Sequence, residues 1–277
     1  MPIHDQGYQR YLGTRAPHGG AWMIIARQHI MSHLRKKVTI ALLMGSWVPF
    51  LVLTVWVYLS TYQAAAMLQV TSTHYRTMLD IQWLFVFIIS ISMAGLIADD
   101  RRANALQVYL SKPLTRVEYV TGKLMALLAF LLAVTLAPAL TLVIVQTLLT
   151  GSFQFIGANL FLLPAIVLFA LTESLMAAFL LLALSSLSKS RRFVSVMFAG
   201  VIFFTVPMYE ALRSITGSRA WAVISPSQML DVIGDSVFRI QGIRPVPLAV
   251  AALVVIVLIA VSVWVLERRV RGIEVVA

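Results

Sequence analysis

Glu173 is the residue hardest to explain without function. It falls within the apolar run from about Asn159 to Leu187. At the centre of a membrane span a carboxylate is costly unless it is protonated, paired or facing a wet cavity. It therefore reads either as a functional group or as a packing partner hydrogen-bonded among Thr172, Ser174 and nearby small residues. His29 and His33 stand one helical turn apart, a spacing at which two imidazoles could share a metal. No third ligand follows at a suitable spacing, so no metal site is expected. The tetrad Asp99-Asp100-Arg101-Arg102 closes another apolar run with two carboxylates and two guanidinium groups in a row. The chain has no cysteine, which excludes disulfides, thiolate metal sites and cysteine nucleophiles. It also lacks the Gly-x-x-x-x-Gly-Lys-[Ser/Thr] phosphate loop; the glycine-rich stretch Gly13 to Gly20 has no lysine. No paired His/Asp/Glu set lies at membrane depth, and no Gly-x-Ser-Gly-like nucleophile site occurs, which argues against an intramembrane enzyme. The methionines are scattered among Leu and Ile, as packing or lipid-facing residues are.

The elements that carry these residues follow from composition. The 277 residues are 60% hydrophobic and 12% charged, with a mean hydropathy of +0.89. Soluble domains are about half apolar and about a quarter charged. Such a chain cannot cover itself with polar surface, so its solvent is lipid and a soluble enzyme is excluded. About 20 apolar residues in a helix cross the ~30 Å hydrocarbon core while satisfying their own backbone hydrogen bonds. Six runs qualify, at about Val38–Ser60, Ile81–Ala98, from just after Lys123 to Leu149, Asn159–Leu187, Phe193–Glu210 and Pro247–Leu266. Pro138 predicts a kink in the third. The fold class is an all-α membrane protein of six transmembrane helices. Residues 1–37 form a cytoplasmic N-terminus with an interfacial helix, 38–266 the six-helix domain and 267–277 a cytoplasmic tail.

Basic residues set the orientation. Of the 22 Lys and Arg, 17 fall before helix 1, between helices 2 and 3, between 4 and 5, and after 6. Arg76, Arg213, Arg219, Arg239 and Arg244 lie on the other side. The positive-inside rule puts both termini in the cytoplasm and accounts for the net charge of +11 without nucleic acid. The first twenty residues do not read as a cleavable signal peptide, so helix 1 is expected to act as the insertion signal. Ala21 to Lys37 mixes Trp22, Ile25, Ile30 and Met31 with Arg27, His29, Arg35 and Lys36, as an interfacial helix does. Asp80, Glu210, Gln82 and Gln146 are expected near the interface.

The stretch Ala98 to Lys123 is long enough to fold. Ala103 to Leu110 can form a short helix with Ala105, Leu106 and Tyr109 on one face, ended by Pro113. Thr115 can then cap a second helix with Glu118 at capping-box spacing. Taken alone, the pattern fits an ordinary amphipathic connector at least as well as a docking element. The run Tyr109-Leu-Ser-Lys-Pro-Leu-Thr-Arg-Val-Glu-Tyr-Val-Thr-Gly-Lys123, however, resembles the segment after the second helix of ABC-2 type permease subunits. There a Leu-Ser-x-Pro-x-x-Arg stretch precedes a Gly-Lys that opens helix 3. Leu110, Ser111, Pro113, Arg116, Gly122 and Lys123 match. Asp99-Asp100 departs from the commoner acidic pair with Glu, and Ala103-Asn104-Ala105 from the frequent Gly-Thr.

The resemblance implies a coupling helix seated on a separate ATP-hydrolysing subunit. Asp99, Asp100, Arg101, Arg102, Leu106, Tyr109, Pro113 and Arg116 would then form the coupling surface. It also implies a second permease copy or homologue, ATP and Mg held by the partner rather than this chain, export as the direction, and the prokaryotic inner membrane as the location. The alternative is an ATPase-linked transducer or scaffold acting on an envelope partner without transport. Between helices 5 and 6, Ala220–Ile224 and Gln228–Val237 carry Trp221, Ile224, Met229, Leu230, Val232 and Ile233. Ser225-Pro226-Ser227 separates the two segments, with Ser227 placed as a cap. They read as a folded surface loop or, by the same resemblance, as re-entrant external helices.

Overall fold

A computed structural model describes residues 20–62, 71–105, 115–151, 157, 159–242 and 244–270. The described residues are overwhelmingly helical and include no strand. Six helical spans are long and apolar enough to cross a membrane: Lys37–Thr61, Ser72–Arg102, Arg116–Thr150, Leu162–Leu187, Arg191–Thr216 and Leu248–Arg269. They are called spans 1 to 6. An integral membrane protein of six apolar helices follows.

Several spans are broken, and prolines account for three of the breaks. A proline has no N–H for the carbonyl four residues before it, and its ring collides with that carbonyl. Span 1 divides into α2 (Lys37–Gly45) and α3 (Val48–Tyr62), and Gly45 lies four residues before Pro49. Span 3 divides into α6 (Arg116–Val134) and α7 (Leu136–Thr150) at Thr135, because Val134 lies four residues before Pro138. Span 5 holds α9 (Arg191–Ala199), a π-helical turn at Gly200–Phe204 and α10 (Thr205–Thr216), with Pro207 four residues after Phe203. Span 2 divides into α4 (Ser72–Ser92) and α5 (Gly95–Arg102) with no proline nearby. Span 4 is the unbroken helix α8 (Leu162–Leu187) and span 6 is α12 (Leu248–Arg269).

Burial ranks the spans. In span 4, 67% of the most apolar stretch is buried, against 17% in spans 1 and 6. Span 4 is therefore the axis on which spans 2, 3 and 6 pack, while spans 1, 5 and 6 turn apolar faces outward. Leu51, Val55, Phe203, Phe204, Ile256 and Trp264 are exposed on them. Two further α-helices and a 3-10 helix complete the packing: α1 (Ala21–Leu34) lies along α6, α11 (Pro226–Val237) packs on spans 4 and 6, and the 3-10 helix Arg219–Ile224 packs on α10 and α11.

Three expectations are corrected. Span 2 begins at Ser72, nine residues before the expected Ile81, so Arg76 and Asp80 lie inside the helix instead of in a loop. Gln82 and Gln146, expected like Asp80 and Glu210 at solvated span ends, are enclosed by the protein; Gln146 accepts a hydrogen bond from Tyr75 at 2.5 Å. The cap of α11 is Ser225, whose hydroxyl accepts from Gln228 N, with Pro226 in the first turn where its missing N–H costs nothing. Ser227 already belongs to that helix.

Candidate functional site

The break at Met93-Ala94 lies at the end of the bundle where α1, Arg116 and Arg191 also gather. A helix broken inside an apolar environment strands backbone donors and acceptors. Here side chains from three other spans take them up. Ser185 of span 4 accepts from Ile97 N and Ala98 N at 3.1 and 3.0 Å, and donates to Ala94 O at 2.8 Å. Arg191 of span 5 donates to Ser92 O at 2.5 Å. Lys123 of span 3 donates to Leu96 O at 2.7 Å. These bonds fasten α5 to spans 3 and 4, and the end of α4 to span 5.

Lys123 is fully buried and ion-paired with Asp100, Nζ to Oδ2 2.7 Å. The Tyr119 hydroxyl donates to the same Asp100 oxygen at 2.6 Å. Arg101 donates to the backbone oxygen of Ser186. The tetrad is thus divided: Asp100 and Arg101 bond within the chain, whereas Asp99 and Arg102 are exposed, as is Arg116. After α5, Asn104 adopts a left-handed backbone with φ of 52°, which ends the helix. Leu106, Tyr109 and Pro113 lie outside the described residues. Beyond them the expected capping box is formed: Thr115 Oγ1 accepts from Glu118 N at 3.2 Å, and Glu118 accepts from Thr115 N at 2.9 Å.

Gly122 decides how α1 meets span 3. A Cβ at this position would lie 2.8 Å from both Ile25 Cβ and the backbone oxygen of Trp22. Only glycine permits this approach. His33, buried in the contact, meets the Phe130 ring edge-on with centroids 6.1 Å apart, and its Nδ1 lies 3.1 Å from His29 O. No cluster of three metal-ligating side chains occurs among the described residues.

A polar cavity of about 190 Å³ lies between α1, the span 2 break and the start of span 5, lined by His29, His33, Lys36, Asp99, Asp100 and Arg191. Burial, with Lys123 nearby and Asp100 opposing, pushes the His29 imidazole down to about 4. Because this lies below the ordinary value of 6.5, the fold favours neutral His29. Its docking energy is complete above pH 6.5 and is lost as pH falls from 6.5 towards 4. Amide exchange of residues 21–34, corrected for intrinsic rate, should accelerate about tenfold across that window. His29→Gln should remove much of the acceleration.

At the opposite end Arg76, only 4% exposed, pairs with Asp80 in its own helix and crosses to α11, where Nη2 lies 3.0 Å from Asp231 and Nε 3.6 Å from Asp235. Its guanidinium carbon is 4.6 Å from the centroid of the Phe169 ring. A Cβ on Gly234 would overlap the guanidinium group, so a glycine is what lets α11 close over Arg76. Glu173 lies behind this cluster, 1% exposed, and its Oε2 has no hydrogen-bond partner. It does not share bonds with its neighbours: Thr172 donates to Leu168 O at 2.7 Å, and Ser174 Oγ is without a partner.

Sequence reasoning selected Asp100, Arg101 and Glu173 but missed Ser185, Arg76, Asp231 and Asp235, and counted Lys123 as a loop cation. The available signal was a lone Arg or Lys within reach of an apolar run, which demands a partner. Compared with protein-family models and with curated proteins, the sequence matches none.

Proposed function

We propose that the chain is the permease subunit of an ATP-binding-cassette transporter of the ABC-2 type. A separate nucleotide-binding subunit would hydrolyse ATP with Mg, and a second permease copy or homologue would complete the complex. The carrying observation is the Leu-Ser-Lys-Pro-Leu-Thr-Arg to Gly-Lys run joined to the bonds that flank it. The chain entering residues 106–114 is held through Asp100, Lys123, Tyr119 and Ser185, and the chain leaving them is capped by Thr115 and Glu118. A push delivered between these points would reach spans 2, 3 and 4 together, as rocking of packed helices requires. Asp99, Arg102 and Arg116 are exposed beside that segment and are the charges offered to the partner.

In this reading both termini are cytoplasmic, the membrane is the prokaryotic plasma membrane and export is the direction. α1 lies at the cytoplasmic headgroup level, consistent with exposed Met23, Ile24 and Met31 beside Arg27. α11, packed on spans 4 and 6, is the re-entrant external element.

The test is Mg-dependent, vanadate-sensitive ATP hydrolysis copurifying with the tagged chain from its native membrane. Arg116→Glu and deletion of Ala103 to Leu110 should each lower it about tenfold, the scale of a charge-assisted contact of ~1.5–3 kcal/mol, while membrane insertion is unchanged. Absence of such activity from the wild type, or its full retention in both variants, defeats the proposal. Substrate-stimulated hydrolysis in liposomes separates transport from transduction.

A further inference from the structure

The Arg76 end of the bundle contains a second cavity. It has a volume of about 230 Å³ and is walled by Asp80, Trp83, Phe169, Glu173, Ser227, Leu230 and Asp231. That is room for about eight waters at roughly 30 Å³ each. Glu173 stands eleven residues into α8, ~16 Å from Leu162 at 1.5 Å per residue. The cavity therefore carries polar wall to about the middle of a ~30 Å apolar layer. Asp80 and Asp231 are 48% and 52% exposed at the outer part of this wall, whereas Glu173 is buried.

The charges in this wall do not balance. The ion pairs described at this end join one cation, Arg76, to Asp80, Asp231 and Asp235. Glu173 adds a further carboxyl group, and its Oε2 is an acceptor with no donor. A buried polar atom is ordinarily satisfied by protein or by ordered water, so Oε2, like the neighbouring Ser174 Oγ, is open to a partner from outside the chain. The remaining wall is mostly aromatic and aliphatic, from Trp83, Phe169 and Leu230, with the Ser227 side chain as its one further polar group. A compact metal ion suits it poorly, since no three ligating side chains converge among the described residues. The complement of separated carboxylates and an indole wall is a cationic nitrogen on an apolar body, able to donate hydrogen bonds and to contact the ring.

We propose that this cavity binds a small organic ammonium, with Glu173 Oε2 accepting from the nitrogen and Trp83 and Leu230 packing on the body. Asp80 and Asp231 make the outer part of the path negative. The site is independent of the transporter reading, because its occupancy is read without any ATPase.

The full chain in nanodiscs of zwitterionic lipid is titrated with benzylammonium and with its neutral analogue benzyl alcohol, by calorimetry and by tryptophan fluorescence. Benzylammonium should bind saturably, and benzyl alcohol should not. Glu173→Gln, which keeps the side chain's volume, should weaken benzylammonium at least about tenfold, and Trp83→Leu should remove the fluorescence response. Where Glu173→Gln fails to assemble, Asp80→Asn takes its place with a loss of about threefold or more. Equal binding of the ammonium and the alcohol, or unchanged affinity in the variant used, overturns the proposal. Saturable calcium binding in the absence of any ammonium, lost in that variant, overturns it in favour of a metal site.

Discussion

Replacing Lys123 with methionine is expected to destabilise the protein by ~3–5 kcal/mol, the cost of removing one partner from a buried ion pair. Methionine matches the length and apolar stem of lysine, so little packing is lost. What is lost is the charge facing Asp100 and the donor to Leu96 O, each 2.7 Å from Nζ. Asp100, 17% exposed, would retain only the Tyr119 hydroxyl. The Leu96 carbonyl lies within one turn of the break in span 2, where the neighbouring backbone already depends on side chains for its bonds. Adding Asp100→Asn should recover most of the loss, since a neutral amide can still accept from Tyr119 and no longer needs a cation. Reversible unfolding in mixed micelles measures both variants. Equal stability of Lys123→Met and the wild type would mean that the pair is not formed in the membrane. The same variants bear on function, because the pair joins span 2 to span 3 beside the proposed docking segment.

The sequence made the six spans legible because their signal is summed over about twenty residues each, and single errors do not erase it. Its failures occur where distant residues decide. Arg76 made the start of span 2 look like a loop, because its partners Asp231 and Asp235 stand more than 150 residues further along, and only its third partner, Asp80, is close by in sequence. Lys123 looked like a loop cation for the same reason: its partner Asp100 sits in another helix. The breaks near Pro49 and Pro138 are local and obey the proline rule, though only the second was anticipated. The break at Met93-Ala94 has only weak local signals, Gly95 and the Ser92 hydroxyl bonded back to Ile89 O, and is sustained by Ser185, Arg191 and Lys123. Thr115 and Glu118, three residues apart, were read correctly because a capping box is complete within one turn. Glu173 was legible as an anomaly, but the cavity in front of it needed span 2, span 4 and α11 together.

Gly122→Val should release α1 from span 3. The clash begins at Cβ, which meets a backbone oxygen, that of Trp22, as well as Ile25 Cβ, both at 2.8 Å. A side chain can rotate aside, but the Trp22 carbonyl is held by its helix, so α1 itself must move. Overpacking of this kind costs ~1–3 kcal/mol and sometimes more. Intrinsic propensity works the other way for Gly122→Ala, since alanine favours a helix by ~1 kcal/mol over glycine; any loss of docking in that variant is therefore a net effect of contact. The absence of cysteine from the chain makes the measurement direct. A single cysteine at Ala26, buried in α1 at 7% exposure, should react slowly with a maleimide in the parent and at least about tenfold faster with Gly122→Val, tenfold being ~1.4 kcal/mol. Gly200→Ala serves as the control, because no atom lies within 4 Å of its added Cβ. If Ala26→Cys remains protected in the Gly122 variant, the close approach of α1 is not what Gly122 provides. If it becomes reactive while Lys123 and Asp100 still stabilise the bundle, then the glycine and the lysine of one dipeptide hold separate joints: one fastens α1 to span 3, the other fastens span 3 to span 2.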